Sequence, residues 1–180
     1  MTEESMQELA GATLHSRTLH AGRVFTIVGE RVRLPNGRET TLEVVRHQPS
    51  VILIPLPDPD HVVLVRQYRH AIRQWIWELP AGTLETGEDM ESAARRECEE
   101  EVGLHPQRVE RVGAFYPTPG YCDELMVFFR LTGLTALQTP AAPDEDEVLE
   151  PRTFGLDDAR RLVAGGGVMD MKTVLGLQLV

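Results

Sequence analysis

The sequence predicts an α+β domain, and three observations carry that prediction. Segments of strand character recur at 24–33 and 39–46, and apolar, β-branched runs at 51–55 and 62–66. One segment, about 89–102, changes to helical spacing: Met90, Ala93, Ala94, Cys98 and Val102 fall on one face. Turn residues punctuate the chain, and the helices do not alternate strictly with the strands, which is the layered α+β pattern.

Each element follows in order. The first ten residues or so are expected to fray. Strands at 24–33 and 39–46 flank Pro35-Asn36-Gly37, a hairpin turn signal. The runs at 51–55 and 62–66 flank Pro57-Asp58-Pro59-Asp60, which predicts a second hairpin. A short strand at 75–79 feeds the loop at Gly82. The helix at about 89–102 stops at Gly103, where a glycine suits a left-handed cap. Further strands are expected at 108–115 and 124–131, then a polar loop through 140–147. Asp157 and Asp158 open a helix at 156–164, where the dipole favours negative charge, and Gly165-Gly166-Gly167 ends it. A final helix is expected at 171–180.

Charge and composition narrow the function. A net charge of −10 argues against nucleic acid as a standing partner, which needs stripes of Lys and Arg. No apolar run approaches a bilayer's thickness, and Met1-Thr-Glu-Glu-Ser lacks a signal-peptide core. Cys98 and Cys122 form neither a disulfide framework nor a zinc pattern. A cytoplasmic protein without membrane partners is the expectation. The 6 His residues are scattered, with no HExxH pairing.

The richest segment runs from Gly82 to Leu104. On one face of its helix Glu97, Glu100 and Glu101 stand at i, i+3 and i+4, so their carboxylates project together. Like charges at this spacing destabilise a helix unless a positive group sits among them. A hard divalent cation with oxygen ligands answers that need.

Gly82, Glu88, Arg96, Glu97, Cys98, Glu100, Glu101, Gly103 and Leu104 resemble the Nudix box, the signature of hydrolases that cleave nucleoside diphosphates linked to another moiety. The family pattern more often has a larger aliphatic residue where Cys98 stands, though Cys packs as a small hydrophobe. The resemblance implies the Nudix fold, a mixed β-sheet sandwiched between helices, over 49–180. Residues 1–48 then form an N-terminal β-hairpin extension.

Motifs outside the box resemble the ADP-ribose pyrophosphatase branch. They are Arg66-Gln67-Tyr68-Arg69, Trp77-Glu78-Leu79-Pro80-Ala81-Gly82, Pro119 lying 16 residues after Gly103, and Asp170-Met171-Lys172-Thr173. That branch implies hydrolysis of a nucleoside diphosphate sugar, ADP-ribose first, to AMP and ribose 5-phosphate. Aromatic residues of its N-terminal strands stack on the adenine. Here Phe25 is the clear candidate, and Leu42 stands where some relatives carry a ring. GDP-mannose, another nucleotide sugar or a dinucleotide therefore remains open as substrate. A module that senses ADP-ribose without cleaving it is the non-enzymatic alternative, though such proteins tend to lose box glutamates.

By the same resemblance, Glu97 and Glu101 are the principal ligands of Mg2+, with Mn2+ as a substitute. Glu100 assists, and the Ala81 carbonyl adds an oxygen. Arg96 orients the glutamates and Glu88 supports it, although a carboxylate near a helix start is also common for its own sake. The general base is expected in the acidic loop 144–147: Glu147, with Glu145 next. Arg69 is the first candidate for a phosphate clamp, because a guanidinium matches phosphate oxygens, and Arg46 the second. Pro119 is expected near substrate, or else as a rigid turn. The N-terminal hairpin carries Val24, Phe25, Ile27, Val28, Val32 and Leu34. A lone hairpin is marginal in water, so this surface requires cover. In the resembled branch a partner supplies it, which implies a homodimer with Phe25 near a nucleotide base.

Overall fold

A computed structural model describes residues 11–137 and 148–180. The chain divides into two compact units. One comprises Met1–Gln48 with Thr118–Glu124, the other Pro49–Pro117 with Leu125–Val180.

The first unit is a three-stranded antiparallel sheet in the order β1-β2-β3, with β1 at Ala12–Ala21, β2 at Phe25–Arg33 and β3 at Glu39–His47. The expected hairpin is β2–β3. Its turn closes through the Leu34 amide on Arg38 O (2.8 Å) and the Gly37 amide on Leu34 O (2.8 Å), with Gly37 at φ 81°. The extension holds this hairpin and one strand more, because β1 pairs with the other edge of β2. The pairing skips Leu14 and Leu19, where the register shifts. A strand with two irregularities loses the period-2 alternation by which a strand is recognised. On the outer edge of β3, the Val45 amide donates to Tyr121 O (2.7 Å) and the Asp123 amide to Val45 O (3.2 Å). Inside the unit, buried Glu30 accepts from Arg46 at 2.7 Å. That guanidinium holds its carboxyl below the usual range.

The second unit holds two sheets. A mixed sheet has the order β7-β4-β9-β8, with β4 at Ser50–Pro55, β7 at Ala81–Thr83, β8 at Leu104–Phe115 and β9 at Met126–Ala136. β4 and β9 run parallel, and the other neighbours antiparallel. The second sheet, β10-β5-β6, is antiparallel, with β5 at His61–Arg69, β6 at Gln74–Glu78 and β10 at Leu149–Gly155. The hairpin expected from 51–55 and 62–66 is therefore absent. The two runs lie in different sheets. All six residues of β4 are buried, and β7 and β9 take its two edges. A continuous apolar run is a strand covered on both faces, and it draws its partners from distant sequence.

Alternation along β4 builds two cores. Val51 and Leu53 pack with Ala93, Ala94 and Cys98 of the box helix. Ile52 and Ile54 pack with Leu79, Phe128, Ala159 and Leu177 on the opposite side. Helices thus lie on both sides of the sheet. The box helix α1, Met90–Glu97, starts at Asp89, whose carboxylate accepts from the amides of Glu91 (3.1 Å) and Ser92 (3.0 Å). It continues as a π-helical turn, Cys98–Val102, and ends at Gly103 with φ 74°. Helix α2 is Leu156–Ala164, as expected. Helix α3 is shorter than expected: it spans only Met171–Gly176, capped by Asp170. Strand β10 was not anticipated. No helix of the described residues is long and apolar enough to cross a membrane.

Candidate active site

The site is built from the sheet corner outward. β6 ends at Glu78, Leu79 and Pro80 turn the chain, and β7 carries Ala81 and Gly82 along the edge of β4. Pro80 O accepts from the Leu53 amide (2.9 Å), and the Leu84 amide donates to Pro49 O (3.1 Å), so the loop is sewn to β4 at both ends. Gly82 has a steric role. A Cβ there would overlap the Glu97 carboxylate. The glycine lets a buried carboxylate lie directly against the strand.

Arg96 gathers the acidic residues. Its Nε and Nη2 donate to the two oxygens of Glu88, each at 3.0 Å. Its Nη1 donates to Glu97 Oε1 (2.8 Å) and to Glu100 Oε2 (2.9 Å). Glu101 turns to the strand instead, and its Oε2 accepts from the Ala81 amide at 3.1 Å. Glu97 and Glu101 are buried, while Glu100 is partly exposed. Paired with Arg96, the Glu88 carboxyl is held below the usual carboxylate range, and the Arg96 guanidinium is raised in turn. Glu99 does not join the cluster; it faces His105, with Nδ1 and Oε1 2.6 Å apart. Of the three carboxylates the helical spacing selects, Arg96 collects Glu97 and Glu100 while Glu101 is held at Ala81, and a π turn replaces regular α-helix over 98–102.

One guanidinium stands among Glu88, Glu97, Glu100 and, on the strand side, Glu101. Negative charge is in excess. Among the described residues no three His, Cys, Asp or Glu side chains form a ready metal cage. Arg96 and the Ala81 amide, rather than one another, hold these carboxylates. The donor set is nevertheless all oxygen, two of its carboxylates are buried, and three carboxylates share the Arg96 guanidinium, which fits a hard divalent cation. Burial pushes the Cys98 thiol up to about 12, with Glu99 and Glu101 adding to the shift, so it serves as a neutral packing group.

Arg69 forms a two-point ion pair with Glu78, Nε to Oε1 at 2.7 Å and Nη2 to Oε2 at 2.8 Å, so that edge of its guanidinium is already engaged. Arg46, in the first unit, bonds Glu30 and Asp123 (2.7 and 2.8 Å). Phe25 opens β2 and is exposed. Exposed Pro119 sits in a turn where the Tyr121 and Cys122 amides donate to Thr118 O (3.1 and 3.0 Å). Glu147 and Glu145 fall outside the described residues. Two cavities of about 560 Å³, one walled by Arg152, Phe154 and Leu162, the other by Pro57, Arg108 and Arg130, include none of the box residues. Here the charge pattern, not concavity, marks the site.

A family model, the NUDIX domain, matches residues 46–172. The chain belongs to the Nudix hydrolase family. Among its relatives, a Bacillus subtilis (strain 168) protein named ADP-ribose pyrophosphatase is 35% identical over 96% of this chain and 94% of its own. A Mycobacterium tuberculosis protein of the same name is 33% identical over 93% of this chain and 82% of its own. A Bacillus methanolicus protein named methanol dehydrogenase activator is 35% identical over 92% of this chain and 90% of its own. The crystal structure of an ADP compounds hydrolase superposes with a TM-score of 0.81 over 94% of this chain and 91% of that one; at 23% identity it speaks for the fold. The Nudix box is thus the Gly82–Leu104 segment on which Arg96 collects its glutamates.

Sequence reasoning singled out Arg69, Glu78 and Asp170–Thr173 as motifs but missed that they form a second ionic network. Buried Lys172 contacts Glu78 Oε2 and lies 3.1 Å from Asp170 Oδ2. Burial opposes the charge on Glu78, but Arg69 and Lys172 outweigh it and hold that carboxyl below its usual range. The available signal was the pattern Asp170-x-x-Thr173, a helix-capping pair beside a lysine.

Proposed function

We propose that this Nudix hydrolase cleaves the pyrophosphate bond of ADP-ribose, giving AMP and ribose 5-phosphate. The observation that carries the reading is the charge-excess cluster of Glu97, Glu100 and Glu101 against Ala81 and Gly82. It stands in a chain aligned over nearly its whole length with proteins named ADP-ribose pyrophosphatase.

Glu97 and Glu101, with Glu100 and the Ala81 carbonyl, would hold Mg2+, or Mn2+ in its place. A bound divalent cation supplies positive charge against the phosphate oxygens and lowers the pKa of bound water. Arg96 aims Glu97 and Glu100 by hydrogen bonds, and Glu88 fixes Arg96 by a two-point ion pair. Water adds to phosphorus as the bridging P–O bond breaks, and the Glu147 carboxylate takes the water's proton, with Glu145 next in the same loop. Glu147→Gln then lowers kcat by on the order of 10²–10⁴; full turnover by that variant would remove the assignment.

The donor edge of Arg69 is engaged with Glu78, so its contact with phosphate uses its remaining N–H groups; Arg46 and Pro119 are the other substrate candidates. The enzyme is cytoplasmic, in keeping with two free cysteines. It works as a homodimer built through the N-terminal sheet, with Phe25 at the base. Light scattering at micromolar concentration is expected to give twice the chain mass; a fully active monomer would end that part of the reading.

The deciding experiment couples hydrolysis to a phosphatase. ADP-ribose, GDP-mannose, other nucleotide sugars and dinucleotides are compared with and without Mg2+. ADP-ribose is expected to show the highest kcat/KM, only with the cation. A better turnover of another substrate would reassign it, and binding without cleavage would make the chain a sensor.

A further inference from the structure

Leu79 sits where one sheet hands the chain to the other. Glu78 ends β6, Ala81 begins β7, and Pro80 between them has no N–H. Leu79 is 1% exposed, so its amide needs a protein partner. That partner is the Thr173 hydroxyl, at 2.7 Å. The same hydroxyl donates to Asp170 Oδ2 at 2.6 Å. Asp170 Oδ2 also accepts from the Thr173 amide at 2.9 Å and lies 3.1 Å from Lys172 Nζ. Lys172 in turn holds the Glu78 carboxylate. Residues 170–173 therefore grip the corner twice, at the Glu78 side chain and at the Leu79 amide. Helix α3 lies hard against it, since a Cβ on Gly176 would overlap Leu79 Cδ1.

The corner leads straight into the site. Two residues past Leu79, the Ala81 amide holds Glu101, and the next residue, Gly82, makes room for Glu97. A small displacement of Leu79 therefore moves the strand against which both buried carboxylates are set. Thr173 is placed to prevent it, because its one hydroxyl both accepts from the Leu79 amide and donates to Asp170.

We infer that Thr173 is a positioning residue for the cation site, acting through the Leu79 amide on Ala81 and so on Glu101. The inference rests on the reading that Glu97 and Glu101 hold the cation. Valine keeps the shape of threonine and loses both hydrogen bonds; serine keeps both.

The test titrates Mn2+ into the full-length protein without substrate and reads free Mn2+ by electron paramagnetic resonance. The variants are Thr173→Val, Thr173→Ser and Glu101→Gln, and kcat and KM follow on each. Thr173→Val is expected to bind Mn2+ about 10- to 100-fold more weakly, the usual effect of removing a group that supports a ligand, and to lose kcat with KM little changed. Thr173→Ser is expected to restore both. If Glu101→Gln binds Mn2+ like the wild type, the cation reading itself fails. If Glu101→Gln loses Mn2+ while Thr173→Val keeps it within about twofold, the cation reading stands and the role of Thr173 is overturned. Failure of serine to restore binding likewise overturns it. Should the valine variant not fold, Thr173→Cys, a poorer acceptor at that place, decides the matter by the same criterion.

Discussion

Arg96 and Lys172 each anchor an ionic network in the same unit, and the two networks differ in balance. Around Arg96 stand Glu88, Glu97 and Glu100, three carboxylates on one guanidinium, with Glu101 beside them on the strand. Around Lys172 stand Glu78 and Asp170, and Arg69 makes the second cation, so that set is neutral. Buried charge is tolerated when it is paired. The Lys172 set is complete as it stands and acts as a brace. The Arg96 set is over-supplied with negative charge, and that surplus is what a divalent cation would neutralise. Net charge within a cluster, more than burial or the number of ion pairs, separates the site from its support.

Removing one carboxylate from each set should have opposite consequences. At the box, Glu101→Gln keeps the shape and a hydrogen-bond acceptor for the Ala81 amide. It removes a charge that nothing else replaces. Cation-dependent hydrolysis is expected to fall by about three decades, corresponding to the several kcal/mol that such charge stabilisation contributes. Thermal unfolding should change little, because the deletion relieves like-charge repulsion. Near-normal turnover at saturating Mg2+ would show that the surplus has no catalytic meaning.

In the brace the expected signs reverse. Glu78→Gln leaves Lys172 buried beside a neutral amide, with Asp170 its remaining counter-ion among the described residues. Removing one partner of a buried pair destabilises by about 3–5 kcal/mol. Denaturant unfolding measures this directly. Activity of the remaining folded protein should fall far less than in Glu101→Gln. A stability loss under about 1 kcal/mol, the value of an exposed pair, would mean that the brace is ornamental.

The same contrast explains what could be read from the sequence. The box was legible because its chemistry fixes residue types at close spacing: Glu97, Glu100 and Glu101 share a helix face, and Gly82 answers to Glu97 alone. The brace was not, because Lys172 meets Glu78 across 94 residues, and no local pattern records that meeting. Topology failed for a related reason. The turn at Pro57–Asp60 suggested a local hairpin, whereas β4, buried along its whole length, takes β7 and β9 as partners, and β5 pairs with β6 and β10. Strand β1 escaped notice because its irregular pairing at Leu14 and Leu19 erases the alternation. The π turn at Cys98–Val102 leaves no signature that helical periodicity would miss, so its extent was anticipated and its geometry was not.

The smallest expected effect is on the pH dependence of stability, and it isolates the brace. Arg69 and Lys172 hold the folded-state carboxyl of Glu78 below its usual range despite burial. In the unfolded chain a glutamate titrates near about 4.3. A group depressed on folding contributes stability that is fully present above the unfolded value and is lost as pH falls through the folded one. Between pH 7 and about 5, then, wild-type stability should not change on account of Glu78, and below about 4 it should decline. Once protonated, Glu78 is close in shape and charge to glutamine. The unfolding free energies of the wild type and Glu78→Gln, measured from pH 7 to pH 3, should therefore start apart and converge at the acid end. Parallel curves would mean that the two differ for a reason other than the charge of Glu78, and the neutral-brace account would have to be replaced.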